Sequence, residues 1–340
     1  MMIDFADALK KAVLRSVPGA AGISDIARLS GGANQETWAF DAATPGGRVP
    51  LVLRRAPGGA NPRAALGSDG STAIPLDIEA RVIEAARAGG VAAPRVVHVL
   101  NEEDGVGTGY IMERLTGQTI PRKILRDAEF DAVRPKLARQ CGEILARLHA
   151  VDPAPLADVL RVMDGPTQLA HYRDIYDAYD SPHPVFELAF HWLETRLSGG
   201  RAPTLVHGDF RHGNLLVSPE RLEAVLDWEL CHIGDPVEDI GWICTNSWRF
   251  GLSANVVGGF GDLDDLLDAY RAAGGARIAA DDVKPWIVFG SLKWGIMCMT
   301  MYRIYATGGD PSIERAAIGR RVSEAEIDIV NLLVGEGERP

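Results

Sequence analysis

Residues 207–214, HGDFRHGN, place two histidines, an aspartate and an asparagine between two apolar runs. Such a set fits a metal cluster, a nucleophile with its base, or neither. Asp209 and Asn214 are five positions apart, and Asp227 follows at the end of the next apolar strand. Phosphoryl transfer needs a carboxylate that accepts the proton of a hydroxyl group and oxygen ligands for Mg²⁺, and these three side chains supply both. A zinc site would need more histidine or cysteine ligands.

Two basic residues at the end of an earlier apolar strand are candidates for binding phosphate. The run LVLR ends at Arg54, and Arg55 follows it directly. Glu79 lies on the helix predicted after this strand, where it can hold Arg54 through an ion pair. We expect Arg54 to contact the α- and β-phosphates of a nucleotide, with Arg55 as the alternative for the same role.

Two further segments of the front half are candidates for binding the rest of a nucleotide. YIMERL is an extended segment whose backbone around Glu113 and Leu115 can meet the edge of an adenine ring. The turn that contains Gly31 and Gly32 can cover the phosphates with backbone N–H groups. These positions predict that Mg²⁺-ATP binds between the front half and the segment that holds Asp209.

The pattern of apolar residues and turns divides the chain into two halves. The first 115 or so residues are predicted to form a mostly antiparallel sheet with one inserted helix. The rest is predicted to be helical, including 128–149 and about 183–197, apart from a small hairpin with its turn at 218–220. This order predicts an α+β, two-lobed architecture. We place a nucleotide-binding lobe at residues 1–115 and a catalytic and acceptor-binding lobe at residues 116–340.

The composition of the 340-residue chain excludes some classes of partner. Its 35 Lys and Arg against 46 Asp and Glu give a formal net charge of −11. Nucleic-acid phosphates require a basic surface, so no nucleic-acid partner is expected. No signal peptide or membrane span is visible, and the four cysteines lie in apolar settings without a C-x-x-C pair. We therefore expect a cytoplasmic protein without a membrane partner, and the sequence does not predict its oligomeric state.

HGDFRHGN, followed by VLDWE and GDPVEDIGW, resembles the double signature of the aminoglycoside phosphotransferase and choline kinase superfamily, which has a protein-kinase-like fold. The resemblance covers residues 25–245 and, more loosely, the C-terminal helices. It implies that Asp209 is the catalytic base and that Asn214 and Asp227 bind Mg²⁺. It also implies that three residues support the catalytic loop and the helix beside it: His207, Asp235 and Asp239.

Two departures from the pattern of protein kinases indicate what kind of kinase this sequence encodes. Arg54 stands where many relatives have lysine, and the two cations are not interchangeable. DWE replaces D-F-G at 227–229, only eight positions separate Asp227 from Asp235, and no A-P-E follows. The chain therefore has no segment for a phosphorylatable activation loop. This argues against a protein kinase and favours a small molecule as the hydroxyl acceptor.

The acceptor must be inferred from the C-terminal half, where aromatic and basic residues are interleaved. The segments SWRFG and LKWG contain Trp248, Arg249, Lys293 and Trp294, which are candidates for lining the acceptor site. Aminoglycosides and choline are cations that need carboxylates or an aromatic cage, whereas this pattern suits an anionic or amphiphilic alcohol. The pattern also resembles the kinase-like domain fused to acyl-CoA dehydrogenases, which implies a hydroxyacyl-CoA thioester as acceptor.

Other functions stay open at this point. One is an aminoglycoside or choline-type kinase. Another is a pseudokinase that binds nucleotide without catalysis, which the intact set of Asp209, Asn214 and Asp227 argues against. A metal hydrolase would use His207, Asp209 and His212, but the sequence offers no obvious further ligand.

Overall fold

The computed structural model describes residues 5–29, 35–59, 73–197 and 200–334. Gly31 and Gly32, predicted to cover the phosphates, lie outside the described residues, as does most of the Gly- and Pro-rich segment at 57–72. Within the described part, the strands of the largest sheet all precede Arg114, and most helices follow it.

The front half contains α1 (Phe5–Ser16), β1 (Gly22–Arg28), β2 (Glu36–Thr44), β3 (Gly47–Arg55), α2 (Leu76–Ala88), β4 (Val96–Val99) and β5 (Gly109–Glu113). The strands form an antiparallel sheet with the spatial order β1-β2-β3-β5-β4. Successive side chains of a strand face opposite sides of the sheet. Ile111 therefore packs with Leu51 and α1, whereas Tyr110 packs with the residues of α2. The sheet and inserted helix agree with the sequence prediction.

The back half contains nine helices and five short strands among the described residues. The helices are α3 (Pro121–Arg126), α4 (Leu137–His149), α5 (Gly165–Asp177), α6 (Pro184–Leu193), α7 (Val237–Cys244), α8 (Leu263–Ala272), α9 (Ala280–Ala306), α10 (Ile313–Gly319) and α11 (Val322–Val334). The strands are β6 (Val162–Met163), β7 (Thr204–Val206), β8 (Leu215–Val217), β9 (Leu222–Val225) and β10 (His232–Gly234). β8 and β9 form the predicted hairpin, and β10 lies between β6 and β7.

Helix α7 lies at the centre of the back half, and all eight of its residues are buried. It packs closely on α9 at Gly241, where a Cβ atom would lie 2.3 Å from Cβ of Trp286. This close approach requires glycine and fixes the position of α7, which carries side chains that reach the loop at 207–214.

The predicted single helix at 128–149 is wrong over its first nine residues. Short 3₁₀ turns at Ala128–Phe130 and Arg134–Lys136 precede α4, which begins only at Leu137. Pro135 explains the break, because proline lacks an N–H donor and its ring disfavours helical backbone in the preceding residue. The apolar spacing continues through the break, so periodicity alone overestimates the length of the helix.

The four cysteines are free and buried, as expected from their apolar settings. Among the helices in the described part of the chain, none is both long and apolar enough to cross a membrane.

Candidate active site

The β8–β9 hairpin brings together the three residues predicted to carry the reaction. The backbone N–H of Leu226 donates to the carbonyl oxygen of Asn214 at 2.8 Å, which places Asp227 across the hairpin from Asn214. The side-chain Nδ2 of Asn214 donates to Oδ2 of Asp209 at 2.6 Å. Asn214 therefore connects the candidate base with the second candidate metal ligand.

The carboxylate of Asp209 accepts hydrogen bonds from three side chains. Besides Asn214, Nε1 of Trp242 donates to Oδ1 at 2.7 Å. Nε of Arg211 lies 3.0 Å from Oδ1 and 3.1 Å from Oδ2, and its guanidinium stacks 4.8 Å from the ring centre of Trp248. The carboxylate is thus oriented by an indole and an amide and is also paired with a cation.

A buried carboxylate on α7 holds the backbone that leads into Asp209. Asp239 accepts the N–H groups of His207 at 2.8 Å and Gly208 at 3.0 Å, and Nε2 of His149 lies 3.3 Å away. Burial acts to raise the pKa of Asp239, but these hydrogen bonds and the nearby histidines outweigh it and lower that pKa. Gly208 has a φ of 78°, and a Cβ atom there would lie 2.4 Å from the carbonyl oxygen of Leu230, so the turn requires glycine.

The other two predicted supporting residues stabilise the loop and the start of α7. Nδ1 of His207 accepts the backbone N–H of Asp209 at 3.2 Å, and the His207 ring packs 4.7 Å from that of Trp228. Burial lowers the pKa of His207, which favours the neutral ring that can accept this bond. Asp235 accepts the N–H of Val237, the first residue of α7, at 2.9 Å.

Arg54 joins β3, α2 and the hairpin through three carboxylates. Its Nε lies 3.3 Å from Oε2 of Glu79, and its Nη2 lies 2.6 Å from Oδ1 of Asp227 and 3.1 Å from Oε2 of Glu229. Burial raises the pKa of Glu79. Burial and then the Asp227 carboxylate raise the pKa of Glu229 to about 8. The ion pair between Arg54 and Glu79 that the sequence suggested is present.

The side chain of Arg55 lies on the opposite face of the sheet from that of Arg54, because successive side chains of a strand alternate between the two faces. Its Nε donates to Oε2 of Glu36 at 2.8 Å, and its guanidinium lies 4.1 Å from the ring centre of Phe5. Arg54, and not Arg55, lines the large cleft between the sheet and the hairpin. The geometry therefore favours Arg54 over Arg55 as the residue that faces a nucleotide.

The cleft has a volume of about 360 Å³ and contains three of the four predicted nucleotide-binding residues that the structure describes. Its lining includes Val52, Arg54, Glu113, Leu115, Asn214 and Asp227. The N–H of Glu113 already donates to the carbonyl of Arg95 at 3.0 Å. Leu115 lies beyond the last paired residue of β5, so it is the better placed of the two to offer its backbone to a ligand.

The four predicted acceptor residues fall into two groups. Trp248 and Trp294 pack against each other at 4.9 Å, and Trp248 contacts Arg211 near the base. Lys293 is instead buried, with 3% of its surface exposed, and its Nζ donates to the carbonyl of Gly208 at 3.0 Å. The predicted acceptor contact of Lys293 is therefore corrected: its side chain lies beneath the loop at 207–214.

Arg249 likewise uses its donors on the protein backbone. Nε and Nη2 donate to the carbonyl of Cys244 at 3.0 and 2.6 Å, and Nη1 donates to that of Ser253 at 2.9 Å. These bonds cap the last turn of α7. They give Arg249 a structural role that the basic and aromatic sequence pattern did not distinguish from ligand binding.

Arg211 and Trp242 contact the candidate base, but the sequence analysis gave them no role. A signal existed for each residue. Arg211 is two positions after Asp209 in the same motif, and Trp242 is three positions after Asp239 on a helix, so both α7 side chains face the same way. Spacing relative to a residue already assigned to the loop thus identifies both contacts.

The fold and site define a class of protein. A protein from Ralstonia eutropha JMP134, provisionally named an aminoglycoside phosphotransferase, superposes with a TM-score of 0.73 at 23% identity over 96% of this chain and 97% of that one. A thermostable mutant of aminoglycoside phosphotransferase APH(4)-Ia, in a ternary complex with AMP-PNP and hygromycin B, superposes with a TM-score of 0.58 at 16% identity over 96% and 97% of the two chains. The architecture is an α+β, two-lobed, protein-kinase-like fold.

Sequence comparison identifies the family. Residues 25–275 match the profile of the phosphotransferase enzyme family APH, and the chain belongs to that family. Acyl-CoA dehydrogenase family member 10 of Mus musculus is 31% identical over 229 residues, which cover 63% of this chain and 20% of the mouse protein. The chain thus corresponds to about a fifth of that relative's length.

Proposed function

We propose that this protein transfers the γ-phosphate of Mg²⁺-ATP to a hydroxyl group of a small molecule, with Asp209 as the base. The observation that carries the proposal is the hydrogen bond from the Asn214 side chain to Asp209 at 2.6 Å. The backbone of Asn214 pairs with Leu226, so Asp227 is the next residue on the opposite side of the hairpin. Across the cleft, Arg54 meets Asp227 at 2.6 Å. Arg54 and the candidate metal ligands therefore line one cleft, and Asn214 connects that cleft to the candidate base.

The reaction that these residues support is an in-line displacement. The hydroxyl oxygen of the acceptor forms a bond to the γ-phosphorus as the bond from that phosphorus to the β–γ bridging oxygen breaks, which releases ADP. Asp209 orients the hydroxyl group and accepts its proton. Base assistance of this kind contributes about 10²–10⁴-fold, and positioning and charge neutralisation supply most of the rest.

The donor set of the hairpin fits Mg²⁺. Asn214 and Asp227 offer hard oxygen ligands at the edge of the cleft. Among the described residues, no group of three or more His, Cys, Asp or Glu side chains is arranged to hold a metal. A cation held by these two side chains would complete its coordination with phosphate and water. When bound, Mg²⁺ would neutralise charge on the phosphates.

An anionic or amphiphilic alcohol is the acceptor that the surroundings of the base favour. The guanidinium of Arg211 bonds both oxygens of Asp209 and covers the face of Trp248, so this aromatic face is already paired with a cation. The positive charge of an aminoglycoside or of choline would be repelled by the guanidinium of Arg211 beside Asp209. Together with the likeness to the acyl-CoA dehydrogenase relative, this supports a hydroxyacyl-CoA thioester as the acceptor class.

ADP release from Mg²⁺-ATP across a panel of alcohols tests the proposal. The panel holds aminoglycosides, choline, sugars, homoserine and hydroxyacyl-CoA thioesters, and Asp209→Asn is the control. We expect release that depends on a hydroxyacyl-CoA and disappears in Asp209→Asn, which should still bind ATP because its nucleotide contacts are intact. Full activity in Asp209→Asn would reject Asp209 as the base. ATP binding without release by any acceptor would favour the pseudokinase.

A further inference from the structure

Trp242, the last residue of the segment GDPVEDIGW, contacts the candidate base. Its indole Nε1 donates to Oδ1 of Asp209 at 2.7 Å, and the residue is 2% exposed. We infer that Trp242 is a positioning residue that fixes the orientation of the Asp209 carboxylate during phosphoryl transfer. The inference rests on the proposed function, because it takes Asp209 to be the base.

The three donors to Asp209 differ in how firmly they hold the carboxylate. The Arg211 side chain is 26% exposed and lies on a long, flexible stem. Asn214 is also a candidate metal ligand, so its amide serves two partners. Trp242 is uncharged, has only two side-chain torsions and sits on the fully buried helix α7. It is therefore the donor best suited to keep Oδ1 fixed while Oδ2 meets a hydroxyl group.

Lys293 holds the ring of Trp242 and the catalytic loop at the same time. Its Nζ lies 4.6 Å from the Trp242 ring centre and donates to the Gly208 carbonyl at 3.0 Å. Glu238 balances the buried ammonium group at 3.5 Å. A cation over an indole face attracts the ring electrostatically. Lys293 thus orders both the ring and the backbone beside Asp209, which is the arrangement that pre-organisation of a base requires.

A neighbouring tryptophan shows that burial alone does not produce such a bond. Trp248 packs 5.1 Å from Trp242 and is 5% exposed. Its Nε1 is buried and makes no hydrogen bond within the described part of the chain. Packing therefore leaves the indole N–H of Trp248 unpaired and directs that of Trp242 to the candidate base.

Indole NMR tests the contact without any acceptor. The ¹H–¹⁵N spectrum should contain seven indole signals, one for each tryptophan, and the signal missing in Trp242→Phe is that of Trp242. We expect this signal to move more than the other six in Asp209→Ala, because it loses its carboxylate partner. An unchanged Trp242 signal in Asp209→Ala would overturn the inference, whatever the activity of the protein.

Kinetics test the consequence. With an acceptor found in the panel, Trp242→Phe should lower kcat about 10–100-fold, as expected when a reacting group is misplaced, and leave the KM for ATP within about twofold. Trp286→Phe is the matched control, since Trp286 is 4% exposed and packs on the same helix at Gly241; it should keep the wild-type kcat.

Equal kcat in Trp242→Phe and wild type would contradict the inference while leaving the function intact. Failure of the wild type with every acceptor would instead count against the proposed function, and NMR alone would then decide the positioning contact.

Discussion

Nη2 of Arg54 lies 2.6 Å from Oδ1 of Asp227, so a single ion pair joins strand β3 to the hairpin that carries the candidate metal ligands. Glu79 lies on the other side of the guanidinium, 3.3 Å from Nε. The three side chains belong to β3, to the hairpin and to α2. One cation therefore links all three elements.

Removal of this cation should cost both stability and nucleotide binding. Arg54→Met leaves the buried carboxylate of Glu79 without its partner, and loss of one member of a buried pair costs about 3–5 kcal/mol. We expect the free energy of unfolding in urea to fall by this order and calorimetric ATP binding to be lost. Arg55→Met is the control, because it also breaks an ion pair, with Glu36, but faces away from the cleft. Equal loss of ATP binding in both variants would contradict the proposal that Arg54, and not Arg55, contacts the nucleotide.

Charge and backbone effects at Asp227 can be separated with two substitutions. Asp227 has a φ of 65°, a left-handed conformation that Asp and Asn adopt more readily than other non-glycine residues. Asp227→Asn should weaken ATP binding in the presence of Mg²⁺ and keep the fold. Asp227→Ala should weaken binding similarly and lose about 1 kcal/mol more stability. Titrations with and without Mg²⁺ measure the first effect, and unchanged Mg²⁺ dependence in Asp227→Asn would remove Asp227 as a ligand.

The sequence predicted those parts of the site that lie close together along the chain. Asn214 directly precedes β8 and Asp227 follows β9, and the short turn between these two strands determines that pairing. Arg54 and Glu79 were also predictable, because a strand followed by a helix presents one face of each to the same side. In these cases the period of two residues in a strand and of 3.6 residues in a helix is enough to predict which side chains share a face.

Contacts between distant elements could not be predicted in this way. Lys293 lies near the middle of the apolar helix α9, and a single cation there suggests a ligand site as readily as a buried contact with a backbone carbonyl. Only the packing of α9 on α7 shows that its partner is Gly208. The β6-β10-β7 sheet was missed for a related reason, since strands of two or three residues carry no periodic signal.

His232 should give the stability a dependence on pH near neutrality. Its Nε2 lies 2.9 Å from Oε2 of Glu238, with the amide of Gln168 at 3.1 Å. Burial and the ammonium of Lys293 act to lower the pKa of His232, but Glu238 outweighs them and raises it. The folded protein therefore keeps a proton that the unfolded chain loses above its ordinary pKa of about 6.5. The stabilisation is complete below that pH and decreases as pH rises through the folded-state pKa, by at most about 1.4 kcal/mol per pH unit.

Urea unfolding at pH 6, 7 and 8 measures this effect. Wild type should lose stability with rising pH relative to His232→Gln, which cannot titrate but can still bond Glu238. His191→Gln is the control, because the side chain of His191 is exposed, and its pH profile should follow the wild type. Parallel profiles for wild type and His232→Gln would contradict the raised pKa.

We expect Arg211 to select the acceptor by its charge. Its guanidinium bonds the carboxylate of Asp209, and a Cβ atom at Gly213 would lie 2.3 Å from Nη1, so the guanidinium lies directly against the backbone of a residue that lines the cleft. Arg211→Gln removes the charge and keeps a donor. A hydrogen bond to a charged group contributes about 1.5–3 kcal/mol, so kcat/KM for a hydroxyacyl-CoA should fall by about 10–100-fold. The KM for ATP should stay close to the wild-type value, and activity with cationic alcohols should not fall. A matching rise in the KM for ATP would indicate that Arg211 binds the nucleotide instead, and wild-type selectivity in Arg211→Gln would show that the charge of the acceptor is read elsewhere.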